Sequence, residues 1–189
     1  MDRAAHRHRP VLGRDTPFRE GMTLSDLNAR DHKGFVLALE GIFEHSPWIA
    51  EGAWSKRPFV SFDALYRALS DTMRGAGEAA KLALIRAHPQ LAGKAALRGD
   101  LTRDSRAEQS GAGLDRCSQD DLARLQQLNS AYEAKFGFPF VLAVKGLDRA
   151  AILVRFADRL KRDRSMEFEE ALQQIERIAW FRLQAIIEA

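Results

Sequence analysis

The sequence predicts an all-α fold, a single compact helical domain without a sheet. Three observations carry that expectation. Apolar residues recur at three- and four-residue spacing through most of the chain after Met22. Ser, Thr and Asp stand just ahead of these stretches, where a helix needs an N-cap to satisfy its first free N–H groups. The one strand-like run, near residues 136–144, has no second run to pair with.

Taken in order, the caps and breakers punctuate roughly eight helices. Thr23 or Ser25 caps a short one near residues 24–29. Asp31 caps a second, running to about Glu44 with Phe35, Leu39, Ile42 and Phe43 on one side. Ser46 and Pro47 start a third, Ser as N-cap and Pro at the first helical position, carrying Trp48, Ile49 and Trp54 to Lys56. Ser61 caps the next, with Phe62, Leu65 and Leu69 in register. Residues 78–87 form an apolar helix stopped by Pro89. Thr102 and Ser105 both offer caps for a segment through Ala112. Ser118 opens a longer helix, with Asp121 placed for a capping box and Leu122, Leu125, Leu128, Tyr132 and Phe136 on its apolar face. Residues 149–162 and 166–187 complete the set. Between them, Phe136–Val144 is apolar and broken by Gly137 and Pro139. It reads as a buried irregular segment, whose backbone groups must find partners and are well suited to a polar ligand.

Composition narrows the function classes. Hydrophobic residues at 46% and charged residues at 29% exclude a disordered chain and leave an ordinary globular protein. Apolar runs fall far short of the ~20 residues of a membrane span. Residues 1–21 read as a disordered basic leader, with Met22 as an alternative start. Their five Arg against Asp2, Asp15 and Glu20 take most of the net charge of +3, so the body is nearly neutral. No basic stripe for nucleic acid remains. A lone Cys117 fits a reducing compartment, and without a secretory signal a cytoplasmic location is expected.

Few residues offer chemistry. His88 precedes Pro89, which pushes it out of helical geometry. It is expected at the N-cap of a helix beginning at Pro89, where the helix terminus disfavours its positive charge. A capping or packing histidine is the plainer reading. Ser105 and Glu108 have the spacing of a capping box, and that too is the plainer reading. The same helix start offers N–H groups to a carbonyl or carboxylate, Glu108 suits an acid–base couple with a histidine, and Gln109 matches a urea or amide edge. Arg159 and Arg182 read as paired or snorkelling arginines, with a carboxylate clamp as the alternative. No phosphate loop, zinc motif or nucleophile elbow is present, and no metal spacing stands out.

Five stretches, in order, bear a specific resemblance. They are Gly41-Ile-Phe-Glu-His-Ser-Pro-Trp48, Ala87-His-Pro-Gln-Leu-Ala-Gly-Lys94, Ser105-Arg-Ala-Glu-Gln-Ser-Gly-Ala-Gly-Leu114, Leu128 through Lys135-Phe-Gly-Phe-Pro-Phe-Val141, and Ile178-Ala-Trp-Phe-Arg-Leu183. The chain resembles the 2-oxo-4-hydroxy-4-carboxy-5-ureidoimidazoline (OHCU) decarboxylases of urate degradation across roughly residues 24–187, the span these motifs occupy. The resemblance implies an all-α homodimer that needs neither cofactor nor metal and takes a small ureidoimidazoline to (S)-allantoin. It implies that His88 is the catalytic histidine and Glu108 its acidic partner. It also implies a pocket lined by Pro89, by Ser105, Arg106, Ala107, Glu108 and Gln109, and by Phe140, Val141, Leu142, Ala143 and Val144. Arg182 is the arginine expected at the substrate carboxylate, with Arg159 as the alternative. Gln90 and Arg162 depart from residues frequent in the family, acidic and Asn respectively. The rival readings are a non-catalytic ligand-binding module of the same fold and a lyase acting on a related ureido acid.

Overall fold

Residues 21–188 are described by a computed structural model. The basic leader lies outside the described residues apart from Gly21. The architecture is all-α, with ten helices among the described residues. In order they are α1 (Leu24–Ala29), α2 (His32–Ala38), α3 (Trp48–Ala53), α4 (Phe62–Gly75), α5 (Glu78–Ala87), α6 (Lys94–Arg98), α7 (Arg103–Gly111), α8 (Gln119–Phe136), α9 (Arg149–Arg159) and α10 (Arg164–Ile186).

Most of the expected caps form, but Ser46 does not cap α3, which starts at Trp48 with Pro47 in the N-cap position and no side-chain cap bond. Thr23, Asp31, Ser61 and Ser118 each accept from a backbone N–H three residues on, a contribution of ~1 kcal/mol apiece. At 23 residues, α10 is the longest element, roughly 35 Å, and it packs against α4, α5 and α8. Its last residues meet the start of the described chain: Met22 N donates to Ile186 O at 3.1 Å and Glu188 N to Met22 O at 3.0 Å.

Two helix expectations are corrected. The second helix stops at Ala38, not Glu44. Gly41 and His45 both take positive φ, +83° and +45°, so residues 39–46 form successive turns. Leu39, Ile42 and Phe43 are nonetheless buried, which is why their spacing imitates a continued helix. No helix begins at Pro89. Residues 89–93 make a tight turn in which Ala92 has φ +48°, and the next helix, α6, starts at Lys94 behind Gly93.

The stretch after α8 is irregular and buried, as its composition predicts. Gly137 ends α8 in the left-handed conformation at φ +79°, the region glycine tolerates best. Phe138, Phe140, Val141, Leu142, Ala143 and Val144 are all buried. Lacking a sheet, the backbone is satisfied by side chains. Arg86 Nε donates to Gly137 O at 3.0 Å, Arg159 Nη1 to Val141 O at 2.7 Å, and Ala143 N to Gln174 Oε1 at 3.0 Å. Phe140 stacks on Phe156 with ring centroids 3.8 Å apart, and Tyr132 meets both edge-on.

Candidate active site

The site starts from the end of α5. Because Pro89 follows, His88 leaves the helix at φ −73°, ψ 131° and becomes its C-cap. Its Nδ1 lies 2.9 Å from Leu84 O. A carbonyl only accepts, so the neutral ring carries its proton on Nδ1 and its lone pair on Nε2. Nε2 is buried and has no hydrogen-bond partner. Burial lowers the imidazole pKa from 6.5 to about 4; the Leu84 carbonyl and Glu44 oppose that shift, while Arg182 and His45 add to it. The ring is therefore an uncharged base at neutral pH. Desolvation, not the expected helix N-terminus, is what keeps it so, since the ring sits at the opposite end of a helix.

Helix α7 supplies the facing wall. Thr102 is its N-cap, and Ser105, expected as a cap, sits one turn inside. Ser105, Glu108 and Gln109 are three and four residues apart and share one face. Gln109 Oε1 accepts from Ala92 N at 2.9 Å and its Nε2 donates to Gln90 O at 3.3 Å, so this amide secures the turn after His88. Arg106 and Ala107 fall on the other face and are exposed. Arg106 donates to Gly99 O at 2.7 Å and to Leu101 O at 3.4 Å.

Arg182, on α10, gathers the charges. Its Nε and Nη2 donate to the two oxygens of Glu108 at 2.7 and 2.8 Å. Nη2 also donates to Ser105 Oγ at 3.2 Å, and Nη1 to Glu44 Oε2 and Gly41 O, both at 2.8 Å. Burial disfavours the guanidinium charge, yet Glu108 and Glu44 together hold its pKa above the ordinary value. Glu44 completes the network, accepting from Thr102 Oγ1 at 2.7 Å and Ser105 Oγ at 3.1 Å. Burial raises its pKa, and Arg182 with Thr102 more than reverses this, so Glu44 stays ionised below the usual carboxylate range.

Sequence reasoning passed over Glu44. Its signal was a lone carboxylate directly after Ile42 and Phe43, ahead of the helix-starting Ser46 and Pro47.

These groups enclose a small cavity of about 20 Å³, lined by His88, Pro89, Leu91, Ser105, Glu108, Gln109, Phe140, Val141, Leu142, Val144, Ile178 and Arg182. Most of the expected pocket residues are thus brought together. Arg106, Ala107, Ala143 and Arg159 are not among its lining residues. Ala143 turns its N–H to Gln174, and Arg159 is occupied in a separate buried cluster with Glu167 and Tyr132. His88 and Glu108 border the same space but share no hydrogen bond: with the Nδ1 proton given to Leu84 O, Nε2 can only accept, and both Glu108 oxygens accept from Arg182.

A larger cavity of about 480 Å³ is also lined by Glu44, together with Leu39, Phe43, Ala50, Leu69 and Arg103 among others, but by neither His88 nor Arg182. The free imidazole nitrogen and the guanidinium make the smaller space the chemically equipped one. Among the described residues no three His, Cys, Asp or Glu side chains cluster to hold a metal ion, and no helix is long and apolar enough to cross a membrane.

Comparison with known proteins agrees with this geometry. The profile of the OHCU decarboxylase family matches residues 28–184. A 2-oxo-4-hydroxy-4-carboxy-5-ureidoimidazoline decarboxylase of Halalkalicoccus jeotgali is 40% identical over 165 residues, 87% of this chain and 92% of that protein. Among solved structures, an (S)-allantoin synthase superposes with a TM-score of 0.71 at 28% identity over 88% of this chain. The chain spans about half, 54%, of that structure's length. An OHCU decarboxylase crystallised in the presence of (S)-allantoin gives a TM-score of 0.61 at 25% identity, covering 75% of this chain and 92% of the other.

Proposed function

The chain belongs to the OHCU decarboxylase family, and we infer that it is a carboxy-lyase converting 2-oxo-4-hydroxy-4-carboxy-5-ureidoimidazoline to allantoin in urate degradation. The observation that carries the catalytic assignment is the free, uncharged Nε2 of His88 on a residue that lines a cavity with Arg182 and Glu108.

The chemistry follows from the substrate. One ring carbon bears both hydroxyl and carboxylate, beside a C=N bond. When CO2 departs, the electron pair of the broken bond forms a ring C=C bond, and the C=N pair moves to nitrogen, which takes up a proton. The resulting enol loses its hydroxyl proton and gains one at the ureido-bearing carbon. The substrate thus carries its own electron sink, which supports a reaction without added cofactor.

His88 Nε2 is suited to take the hydroxyl proton and return it to carbon from one side, giving the (S) product. A base must be unprotonated to take that proton, and at neutral pH His88 is. Arg182 supplies the positive charge for the substrate carboxylate, and residues 140–144 offer backbone dipoles for the ring and ureido groups. We propose further that the protein acts as a homodimer, which the family resemblance supports, and in the cytoplasm, which the lone Cys117 fits.

Uncatalysed decay of the substrate gives racemic allantoin, so optical activity is the discriminating readout. Urate, urate oxidase and hydroxyisourate hydrolase are mixed with the protein, and circular dichroism of the allantoin is followed. Wild type is expected to yield the (S) enantiomer, and His88→Ala, folded by its far-ultraviolet spectrum, a racemate. Unchanged (S) product from that variant would remove His88 from the mechanism.

A further inference from the structure

We infer that Arg182 is shared between a fixed and an exchangeable carboxylate. Glu44 anchors the guanidinium from its buried side, and the substrate carboxylate takes the place of Glu108 on binding. This rests on the decarboxylase reading above and adds to it a positioning residue, Glu44, and an order of contacts.

The first argument is the count of donors. A guanidinium has five N–H groups. In Arg182 they meet five acceptors: both oxygens of Glu108, Ser105 Oγ, Glu44 Oε2 and Gly41 O. No donor is left for a substrate carboxylate, so a present acceptor must leave before one can be clamped.

The second argument decides which acceptor leaves. The Glu44 side chain is 2% exposed and that of Glu108 27%. Glu44 is also held by the hydroxyls of Thr102 and Ser105, whereas both bonds of Glu108 among the described residues run to Arg182. Freeing Glu44 leaves a charge stranded in a dry interior, while Glu108 can turn toward water at far smaller cost. The third argument is room. At about 20 Å³ the half-open cavity holds roughly one water, so seating a ring with ureido and carboxylate groups inside it requires part of the wall to move. Glu108 is the partly exposed carboxylate of that wall.

The exchange has a consequence at each end of the cycle. Glu108 released from Arg182 remains beside the space bordered by His88 and is free to meet the substrate hydroxyl. Once CO2 has gone, the uncharged product makes no carboxylate claim on Arg182, and Glu108 returns to it. Substrate is then held by its leaving group, and product is let go by its loss.

The test is calorimetric binding of hydantoin-5-acetate, a cyclic ureide with a carboxylate, against unsubstituted hydantoin, using the full chain. Glu108→Gln is expected to bind hydantoin-5-acetate at least tenfold more tightly than wild type, with hydantoin changed less than twofold. Glu44→Gln is expected to bind hydantoin-5-acetate at least fivefold more weakly, and Glu44→Asp, which keeps the charge, to recover most of that loss. Thermal melting confirms folding. Glu108 is partly exposed, so its variant keeps the test decisive even if Glu44→Gln does not fold. No gain in Glu108→Gln, including no measurable binding, overturns the exchange. A gain in Glu44→Gln overturns its assignment as the fixed partner. Turnover separates the two levels: an active wild type whose Glu108→Gln gains nothing defeats only the exchange, whereas a wild type that forms no optically active allantoin defeats the decarboxylase reading beneath it.

Discussion

Arg159 and Arg182 are both buried and both paired with carboxylates, 4% and 6% exposed, yet of the two it is Arg182 that lines the cavity with His88. Arg159 is enclosed. Its Nε donates to Glu167 Oε2 at 2.8 Å, its Nη1 to Val141 O at 2.7 Å, and its Nη2 to the Tyr132 hydroxyl at 3.3 Å, with Tyr132 in turn donating to Glu167. Glu167 has no exposed surface at all. Arg182 has a carboxylate of that kind in Glu44 and a second, partly wet one in Glu108. The difference teaches that a buried arginine–carboxylate pair does not by itself mark a ligand site. What separates clamp from scaffold is a partner that water can take back. Arg159 still serves the site at one remove, because the carbonyl it holds belongs to Val141, whose side of the 140–144 segment lines the cavity.

The largest expected effect tests that contrast directly. Arg159→Met leaves the Glu167 carboxylate buried without its main counter-charge and is expected to cost about 3–5 kcal/mol in urea unfolding. Arg182→Met strands the buried Glu44 in the same way and is expected to cost a similar amount, but it also removes the clamp, so the folded variant is expected to lose turnover in the coupled allantoin assay while folded Arg159→Met retains some. Turnover retained in folded Arg182→Met, or lost completely in folded Arg159→Met, would erase the distinction between scaffold and clamp.

Acid should act on the Arg182 side first, through His88. The native pKa of His88, about 4, lies below its ordinary value of 6.5, so between those values the unfolded chain binds the extra proton. Stability is level above pH 6.5 and falls as the pH drops from there toward 4, with about 2 kcal/mol lost by pH 5 from this one group. Glu44 acts in a lower window: its depressed pKa gives stability that is lost only as the pH falls below the usual carboxylate range. Urea titrations at pH 7 and pH 5 measure the first effect. His88→Leu should lack most of the wild-type loss; an equal loss in the variant would place the acid-sensitive group elsewhere.

How much of this was legible in the sequence depended on whether the cause was local. Caps at Thr23, Asp31, Ser61 and Ser118 involve residues three apart, and the sequence pattern revealed them. The break at His88 was equally legible, because proline acts on its immediate neighbour. The direction in which the chain left that break was not, since the turn at 89–93 depends on Gln109, 17 positions away, reaching back to Ala92. Glu44 escaped notice for the same reason: Thr102, Ser105 and Arg182 give it meaning only through space. Arg159 and Arg182 could not be told apart at all in a linear reading, as both lie in apolar helices and their partners' exposure is a property of packing. The pocket residues that did come together, from Pro89 to Arg182, were reached through the family resemblance; helical spacing alone explains why Ser105, Glu108 and Gln109 face inward while Arg106 and Ala107 do not.

Arg106 provides the smallest expected effect and fixes the outer limit of the site. It follows Ser105 directly, yet the rotation of one residue along α7 puts it in solvent. Its guanidinium donates to the carbonyls of Gly99 and Leu101, near the C-terminal end of α6, at 2.7 and 3.4 Å. Water competes for both acceptors, so Arg106→Ala is expected to change stability by less than about 1 kcal/mol. Because neither bond reaches the cavity, KM and kcat should each stay within twofold in the coupled assay, where Arg182→Met loses turnover. A tenfold rise in KM for Arg106→Ala would mean that this arginine swings over the bound substrate. The positive charge that receives the carboxylate would then be divided between a buried and an exposed arginine, and the contrast between Arg159 and Arg182 would no longer locate the clamp.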